Sequence, residues 1–176
     1  MQLGKSRNHQ SRQTDKHEQM LRLFTRSIHT IKMSSSNTPP IGISSSASLQ
    51  VSAADLASAI SADAQDAFPA VFATSRLVAL MEIASARVLQ PYLKSSELSV
   101  GVTIDVSHTA PTPQNAPVTA KATYTGKEGK LFVFDVIATD DGGEVGTAVH
   151  KRAIVDAQRL VAKAGKRITE KHLEGL

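Results

Sequence analysis

The chain has 176 residues, of which 41% are hydrophobic and 4% aromatic, and these values indicate one globular domain with an aliphatic core and additional terminal segments. It contains no cysteine, so disulfide bonds, thiolate metal sites and a cysteine nucleophile are excluded. No apolar run approaches the ~20 residues that a membrane-spanning helix needs, and no membrane partner is expected.

The formal net charge of +4 is unevenly distributed along the chain. Residues 1–36 carry a net charge of +5 and residues 157–176 carry +3, whereas residues 37–156 carry −4. A nucleic-acid-binding domain normally presents a basic surface with aromatic side chains for stacking. Because the central region is acidic, the sequence argues against a nucleic-acid partner.

Residues 1–50 are predicted to form a disordered or targeting leader, because they are polar and contain serine-rich, low-complexity stretches. Within the leader, residues 20–32 combine basic and apolar side chains without acids, as organellar presequences do. Met20 and Met33 are alternative starts. The preferred interpretation is a cytoplasmic protein with a disordered leader, and the alternative is a protein of the mitochondrial matrix.

A folded domain is predicted over residues 51–157, and its clearest element is a helix from Ser75 to Leu93. Apolar residues recur there at intervals of three or four, and Pro91 discourages continuation. Thr74 occupies the position expected of an N-cap.

Four antiparallel strands are predicted after the helix, because the apolar period changes from 3.6 to 2. Their predicted ranges are 99–107, 118–124, 131–139 and 144–156. The third strand is apolar on both parities, as in a central strand covered on two faces. A single helix covers only one sheet face, so the other face or the sheet edge needs a partner, and a homodimer is expected. Residues 158–176 are predicted to be a basic tail, either a short amphipathic helix or a disordered end.

Three polar residues lie where a catalytic site would place them. Thr74 is at a helix N-terminus, which favours an anion or a developing negative charge. Glu82 is the only acid between Thr74 and Leu93, and His108 ends the inward face of the first predicted strand. A carboxylate and an imidazole that face each other across a helix–sheet boundary activate a hydroxyl or a water. Taken singly, each residue also has a structural interpretation as a cap, a solvated helix position or a strand-end residue.

Other polar residues are weaker candidates. His150 and Arg152 share a face of the last strand, and a solubility device on an edge strand accounts for them. Arg152 is also a candidate for binding substrate phosphates, together with neighbouring and C-terminal basic residues. The six histidines show no i, i+4 pair, so no metal site is expected.

Four segments resemble the fluoroacetyl-CoA thioesterase-like family of hotdog-fold proteins. They are residues 71–82, 99–101, 106–113 and 146–152. The spacing is kept as well as the identity, with eight residues from Thr74 to Glu82 and 26 from Glu82 to His108.

The resemblance implies an α+β hotdog dimer, in which a sheet wraps the long helix and the active site lies near the subunit interface. It implies hydrolysis of acyl-CoA, with coenzyme A as part of the substrate and no separate cofactor. The family's catalytic threonine, glutamate and histidine fall on Thr74, Glu82 and His108, and a glycine near the thioester carbonyl falls on Gly101.

The resemblance also bears on the acyl group. Of two phenylalanines that form a lid over the acyl pocket in the fluoroacetyl enzyme, one falls on Phe68, whereas the other position is occupied by Gln65. A short or medium acyl group other than fluoroacetyl is therefore expected. The alternative function is a non-catalytic hotdog module that binds acyl-CoA or a protein partner. Whether water or a covalent acyl-enzyme is used stays open.

Overall fold

Five antiparallel strands and two helices make up the part of the chain that the computed structural model describes, namely residues 38–61, 63 and 65–173. In chain order they are β1 (Ser44–Gln50), α1 (Thr74–Leu89), β2 (Glu97–His108), β3 (Pro117–Glu128), β4 (Leu131–Asp140), β5 (Gly143–Asp156) and α2 (Ala157–Leu173). Short 3₁₀ turns lie at Ala53–Asp55, Ala57–Ala59 and Gln90–Tyr92.

The strands form one sheet in the order β1-β3-β4-β5-β2, and α1 packs across one face of it. The buried residues of α1 recur at intervals of three or four, as expected of an amphipathic helix. Its apolar members are Leu77, Leu80, Met81, Ala84, Val88 and Leu89. The predicted α+β architecture, with one long helix held by an antiparallel sheet, is therefore observed.

The predicted boundary of the leader at residue 50 is wrong, because β1 is part of the sheet. Its residues pair with β3 from Ser44 opposite Thr123 to Gln50 opposite Pro117, and Ala47 is buried in the core. Small serine side chains weaken the apolar alternation, so this strand resembles a low-complexity linker. The presequence-like segment, residues 20–32, lies outside the described residues.

The main helix is shorter than predicted and starts one residue earlier. Ala73 is its N-cap, and Thr74 is its first helical residue, without a side-chain capping bond. The helix ends at Leu89, and residues 90–92 form a 3₁₀ turn because Pro91 has no N–H to continue the α-helical bonds. The predicted cap role of Thr74 is thus wrong, and its hydroxyl is available for other contacts.

Strand β4 lies in the middle of the sheet as predicted, but only one of its faces is buried within the chain. Phe132, Phe134 and Val136 are buried, whereas Asp135 and Ile137 are exposed. The prediction that both faces are covered is therefore wrong for the described chain. On the outer face of β4, the apolar side chain of Ile137 is 48% exposed.

Strand β5 is an inner strand, and β2 and β1 are the two edge strands of the sheet. His150 and Arg152 are 1% and 6% exposed, so they are not a solubility device on an edge strand. Regular alternation places every second residue of β5 on the face toward α1, and both residues fall on that face.

A β-bulge in β2 turns Gly101 toward the helix. Gly101 pairs with Arg152 and Thr103 pairs with Lys151, so Val102 is the extra residue. Strict alternation would have placed Gly101 on the face opposite to Ile104. Because of the bulge, both residues lie on the helix side of the sheet.

The C-terminal segment is a helix, the first of the two predicted alternatives. It follows β5 directly at Ala157, whose N–H donates to the Ser96 carbonyl at 2.9 Å. Neither α1 nor α2, nor any other helix in the described ranges, is long and apolar enough to span a bilayer.

We predict that Gly146→Ala lowers the free energy of unfolding by about 1–3 kcal/mol, because overpacking of a tight site is costly. A Cβ at residue 146 would overlap the Ser107 carbonyl oxygen and lie 3.3 Å from Leu77 Cδ2. The measurement is urea denaturation. The matched control is Gly165→Ala in α2, where nothing lies within 4 Å of an added Cβ. Equal losses in both variants would contradict the packing argument.

Candidate active site

Thr74 and His108 form a hydrogen-bonded pair where α1 begins and β2 ends. Thr74 Oγ1 lies 2.9 Å from His108 Nδ1. The Phe72 ring packs edge-on against the imidazole, with centroids 6.4 Å apart and ring planes at 78°. His108 Nε2 is buried and has no hydrogen-bond partner among the described residues. The pair therefore has the atoms of a base and a hydroxyl, with one ring nitrogen still to be satisfied.

A mainly apolar cavity of about 400 Å³ lies beside this pair. Thr74 and His108 line it together with residues from the segment before α1 and from the loop after β2. The apolar lining includes Ile60, Phe68 and Phe72. Phe68 is 52% exposed, so the cavity has a large aromatic side chain at its open side. An apolar cavity next to a nucleophile–base pair suits an acyl chain with its carbonyl at the pair.

Glu82 belongs to a second polar group, farther along α1. Its Oε1 atom lies 3.6 Å from His150 Nε2 and 3.6 Å from Arg152 Nη1. The Glu82 side chain is 43% exposed, whereas both partners are buried. Its other oxygen, Oε2, makes no hydrogen bond or ion pair with a residue of the described ranges. The carboxylate is thus held from one side and open on the other.

Gly101 provides the space for this arrangement. A Cβ at residue 101 would overlap Glu82 Oε1 and lie 3.2 Å from His150 Nε2. Any side chain at this position would displace the carboxylate. Gly101 is not part of the cavity lining beside Thr74, and its expected place near the thioester carbonyl stays a prediction.

Arg152 is fixed by contacts within the protein. Its Nη2 donates to the Ser99 carbonyl at 2.8 Å, its Nε donates to Ser99 Oγ at 3.2 Å, and its Nη1 donates to the Glu82 carbonyl at 3.4 Å. Burial lowers the pKa of Arg152, and the Glu82 carboxylate opposes that shift. Because the guanidinium is buried and engaged, its donors are used within the protein, and the expected contact of Arg152 with substrate phosphates stays a prediction.

His150 is the member of this group that the sequence offered only as a weaker candidate, interpreted as a residue on an edge strand. Burial, and secondly the positive charge of Arg152, lower the pKa of His150 from 6.5 to about 4, so the ring is neutral at neutral pH. Neither ring nitrogen has a hydrogen-bond partner in the described part of the chain. The burial of His150 follows from the position of β5 between β4 and β2. Predicting it would have required the order of all the strands in the sheet.

The two polar groups are separate within one chain. Thr74 and Glu82 are eight residues apart on α1, which corresponds to about 12 Å along the helix axis. Gly101 and His108 are seven residues apart on β2, or about 20 Å. The structure therefore brings Thr74 to His108, but it places Glu82 against His150 and Arg152 rather than opposite His108 of the same chain, where it was expected.

Over residues 38–61, 63 and 65–173, no group of three or more histidine, aspartate or glutamate side chains is arranged to hold a metal ion.

Comparisons with known proteins identify relatives of the central domain. Residues 51–158 match the profile of the family described as FlK, fluoroacetyl-CoA-specific thioesterase. The fluoroacetyl-CoA thioesterase of Streptantibioticus cattleyicolor is 42% identical over 96 residues, which are 54% of this chain and 69% of that protein.

Solved structures give the same result for the fold. A structure of the fluoroacetyl-CoA thioesterase FlK has a TM-score of 0.69 and 32% identity, covering 73% of this chain and 97% of that chain. A hot-dog-like protein from Thermanaerovibrio acidaminovorans has a TM-score of 0.64 and 26% identity, covering 73% of this chain and 92% of that chain. The predicted hotdog fold and family resemblance are confirmed.

We predict that His150 makes stability depend on pH between about 6.5 and 4. In this range the unfolded chain binds a proton at residue 150 and the folded chain does not, so the free energy of unfolding falls as the pH falls. The loss reaches about 3 kcal/mol at the acid end, from about 1.36 kcal/mol for each pKa unit.

Urea denaturation of wild type and His150→Gln at several pH values measures this effect. The difference between the two proteins removes the contribution of other titrating groups. Parallel curves over this range would contradict the buried neutral state of His150.

Proposed function

Because the chain belongs to the fluoroacetyl-CoA-specific thioesterase family, we propose that it hydrolyses acyl-CoA thioesters to a free acid and coenzyme A. The observation that carries the proposal is the Thr74–His108 pair, 2.9 Å apart beside an apolar cavity. The name of the relative from Streptantibioticus cattleyicolor, a thioesterase, agrees with the predicted reaction.

In the proposed reaction the acyl chain occupies the cavity and the thioester carbonyl lies near Thr74. The Thr74 hydroxyl donates to His108 Nδ1, which accepts a proton either from that hydroxyl or from a water that the hydroxyl orients. The N-terminal N–H groups of α1 stabilise the negative charge that develops on the carbonyl oxygen. The oxygen that lost the proton bonds to the carbonyl carbon, the C–S bond breaks, and the coenzyme A thiolate takes up the proton from His108. Where that oxygen belongs to water, the free acid forms directly; where it belongs to Thr74, a water activated by His108 then hydrolyses the acyl-threonine ester and restores the hydroxyl.

His108 requires a further partner, and we propose that a second copy of the chain supplies it. When Nδ1 accepts a proton from Thr74, Nε2 carries the ring proton, and a buried N–H without an acceptor costs free energy. Glu82 of the same chain is turned toward His150. Glu82 of a second subunit would accept the hydrogen bond at Nε2 and complete a glutamate–histidine–threonine series.

Of the two edge strands, β2 suits this homodimer, because it carries Gly101 and His108. An unpaired edge strand can pair with its symmetry mate, and antiparallel pairing about a two-fold axis places each end of one strand beside the opposite end of the other. Pairing of β2 centred near Ile104 and Asp105 therefore brings Gly101 and Glu82 of one subunit toward His108 and Thr74 of the other. Each dimer would contain two composite active sites.

The proposed substrate is a short- or medium-chain acyl-CoA. The cavity of about 400 Å³ exceeds the space needed by a two-carbon acyl group, because its apolar lining extends from Thr74 to Ile60 and Phe68. Gln65 replaces one lid phenylalanine that the family resemblance implies, and its polar side chain is exposed. We therefore do not expect the site to prefer fluorinated acyl groups. No separate cofactor enters the proposed reaction.

The proposed location is the cytoplasm, and the alternative is the mitochondrial matrix. The choice depends on residues 20–32, whose composition is that of a presequence.

A non-catalytic module that binds acyl-CoA is the second candidate function. The separation of Glu82 from His108 within one chain favours it, because a subunit that does not dimerise through β2 would hold an acyl group without a complete catalytic series.

We predict that the wild-type protein releases thiol from short- or medium-chain acyl-CoA and that His108→Ala or Thr74→Ala lowers kcat by about 10²–10⁴-fold, since each removes an acid–base or orienting group. A thiol-reactive dye measures release without background from the protein, which has no cysteine. The control is Thr139→Ala on the exposed face of β4, which should keep wild-type turnover. Acyl-CoA binding without hydrolysis by the folded wild type would instead support the binding module.

We predict that two inactive variants complement each other in a mixed dimer. A dimer of one His108→Ala and one Glu82→Gln subunit has one site with both changes and one site with neither, so it should show about half of the wild-type turnover per dimer.

Co-expression with two different affinity tags and tandem purification isolates this mixed dimer. The control carries the same tags on two His108→Ala subunits and should be inactive. An inactive mixed dimer, or a wild-type protein that is active as a monomer in size-exclusion chromatography, would overturn the composite site.

A further inference from the structure

We propose that His150 is a positioning residue for Glu82, an inference that rests on the proposed catalytic role of Glu82. In this proposal the carboxylate closes the 3.6 Å gap so that the neutral imidazole donates from Nε2 to Glu82 Oε1. Together with Arg152 this bond fixes the carboxylate through Oε1 and leaves Oε2 for His108 of the second subunit. His150 does not touch the substrate and acts only through Glu82.

The burial of His150 is the first observation that carries this proposal. The side chain is 1% exposed, and it lies in the middle of the sheet opposite Ile104 of β2 and Phe134 of β4. An apolar side chain would fill this place without the cost of burying two polar nitrogens. Packing alone therefore does not account for a histidine here.

The geometry around Glu82 is the second observation. His150 Nε2 is 3.6 Å from Glu82 Oε1, and a shift of the carboxylate by about 0.5 Å brings the pair to hydrogen-bond distance. Gly101 leaves this space open, because a Cβ there would overlap Oε1 and lie 3.2 Å from His150 Nε2. Nδ1, the other ring nitrogen, has no hydrogen-bond partner in the described residues, and no other acid pairs with His150 there.

Arg152 completes the support of the carboxylate from the same strand. Three of its nitrogens are held by Ser99 and by the Glu82 backbone, so the guanidinium has a fixed position 3.6 Å from Oε1. Burial of the site, and secondly the charge of Arg152, lower the pKa of His150, so its ring is neutral at neutral pH. A neutral imidazole supplies one N–H donor to Glu82 without cancelling the negative charge that His108 would need.

The test compares four variants: His150→Leu, His150→Gln, Glu82→Gln, and Glu82→Gln combined with His150→Leu. His150→Leu should lower kcat by about 10–100-fold with little change in KM, the range for a lost hydrogen bond to a charged group. His150→Gln keeps an N–H donor near the position of Nε2 and should recover part of this loss. In the Glu82→Gln background, His150→Leu should have less than a threefold further effect, because the residue acts through the carboxylate.

Thermal unfolding at pH 7.5 must show all four variants folded, and His150→Gln is the conservative variant if leucine disrupts the core. Equal kcat values for wild type and His150→Leu would overturn the proposal. Independent losses from Glu82→Gln and His150→Leu would also overturn it, because they indicate a purely structural role.

A spectroscopic measurement separates this proposal from the proposed hydrolysis. The ¹⁵N chemical shifts of the His150 ring report which nitrogen is protonated and bonded, whether or not the protein hydrolyses any thioester. We expect an Nε2–H whose shift changes in Glu82→Gln and stays unchanged in Glu144→Gln, a control at an exposed position on β5. An Nδ1–H tautomer in wild type would overturn the proposal even if hydrolysis is observed.

Discussion

The close approach of α1 to strands β2 and β5 is the constraint on which the site depends. Two glycines contribute to it: Gly101 leaves room for the Glu82 carboxylate of the helix, whereas Gly146 leaves room for the Ser107 carbonyl of β2 and, less tightly, for Leu77 of the helix. A methyl group at either position would collide with a backbone or carboxylate oxygen. Because the helix lies this close, Thr74 contacts His108 at the C-terminal end of β2. Toward the other end of β2, Glu82 lies close to His150 of the sheet.

The same constraint explains why the two polar groups of one chain are apart. On the straight helix, residues eight positions apart are separated by about 12 Å. On the extended strand, residues seven positions apart are separated by about 20 Å. Neither element can bend to bring Glu82 to His108 without losing its core contacts. The proposed two-fold pairing of β2 solves this problem by symmetry, since it joins unlike ends of two identical strands.

The sequence predicted the long helix and four of the five strands, because strong periodicities report on these elements. It also predicted that Glu82 faces His108, whereas within one chain Glu82 lies against His150. It did not predict β1, whose serines conceal the alternation, or the bulge at Val102, which reverses the facing of Gly101. It also misjudged His150 and Arg152, since only the sheet order shows that β5 is an inner strand. Contacts made across distant strands are not contained in local patterns.

The unpaired edge of β2 makes the fraction of active protein depend on the concentration of the subunit, if the proposed dimer forms through this strand. In the proposed dimer, the strand that builds the active site is also the one with unpaired backbone groups and a half-exposed Val102. At low concentrations the amount of dimer grows with the square of the amount of newly made subunit. Catalytic output would then respond more steeply than linearly to expression, and a solitary subunit would remain open to chaperones and to pairing with foreign strands.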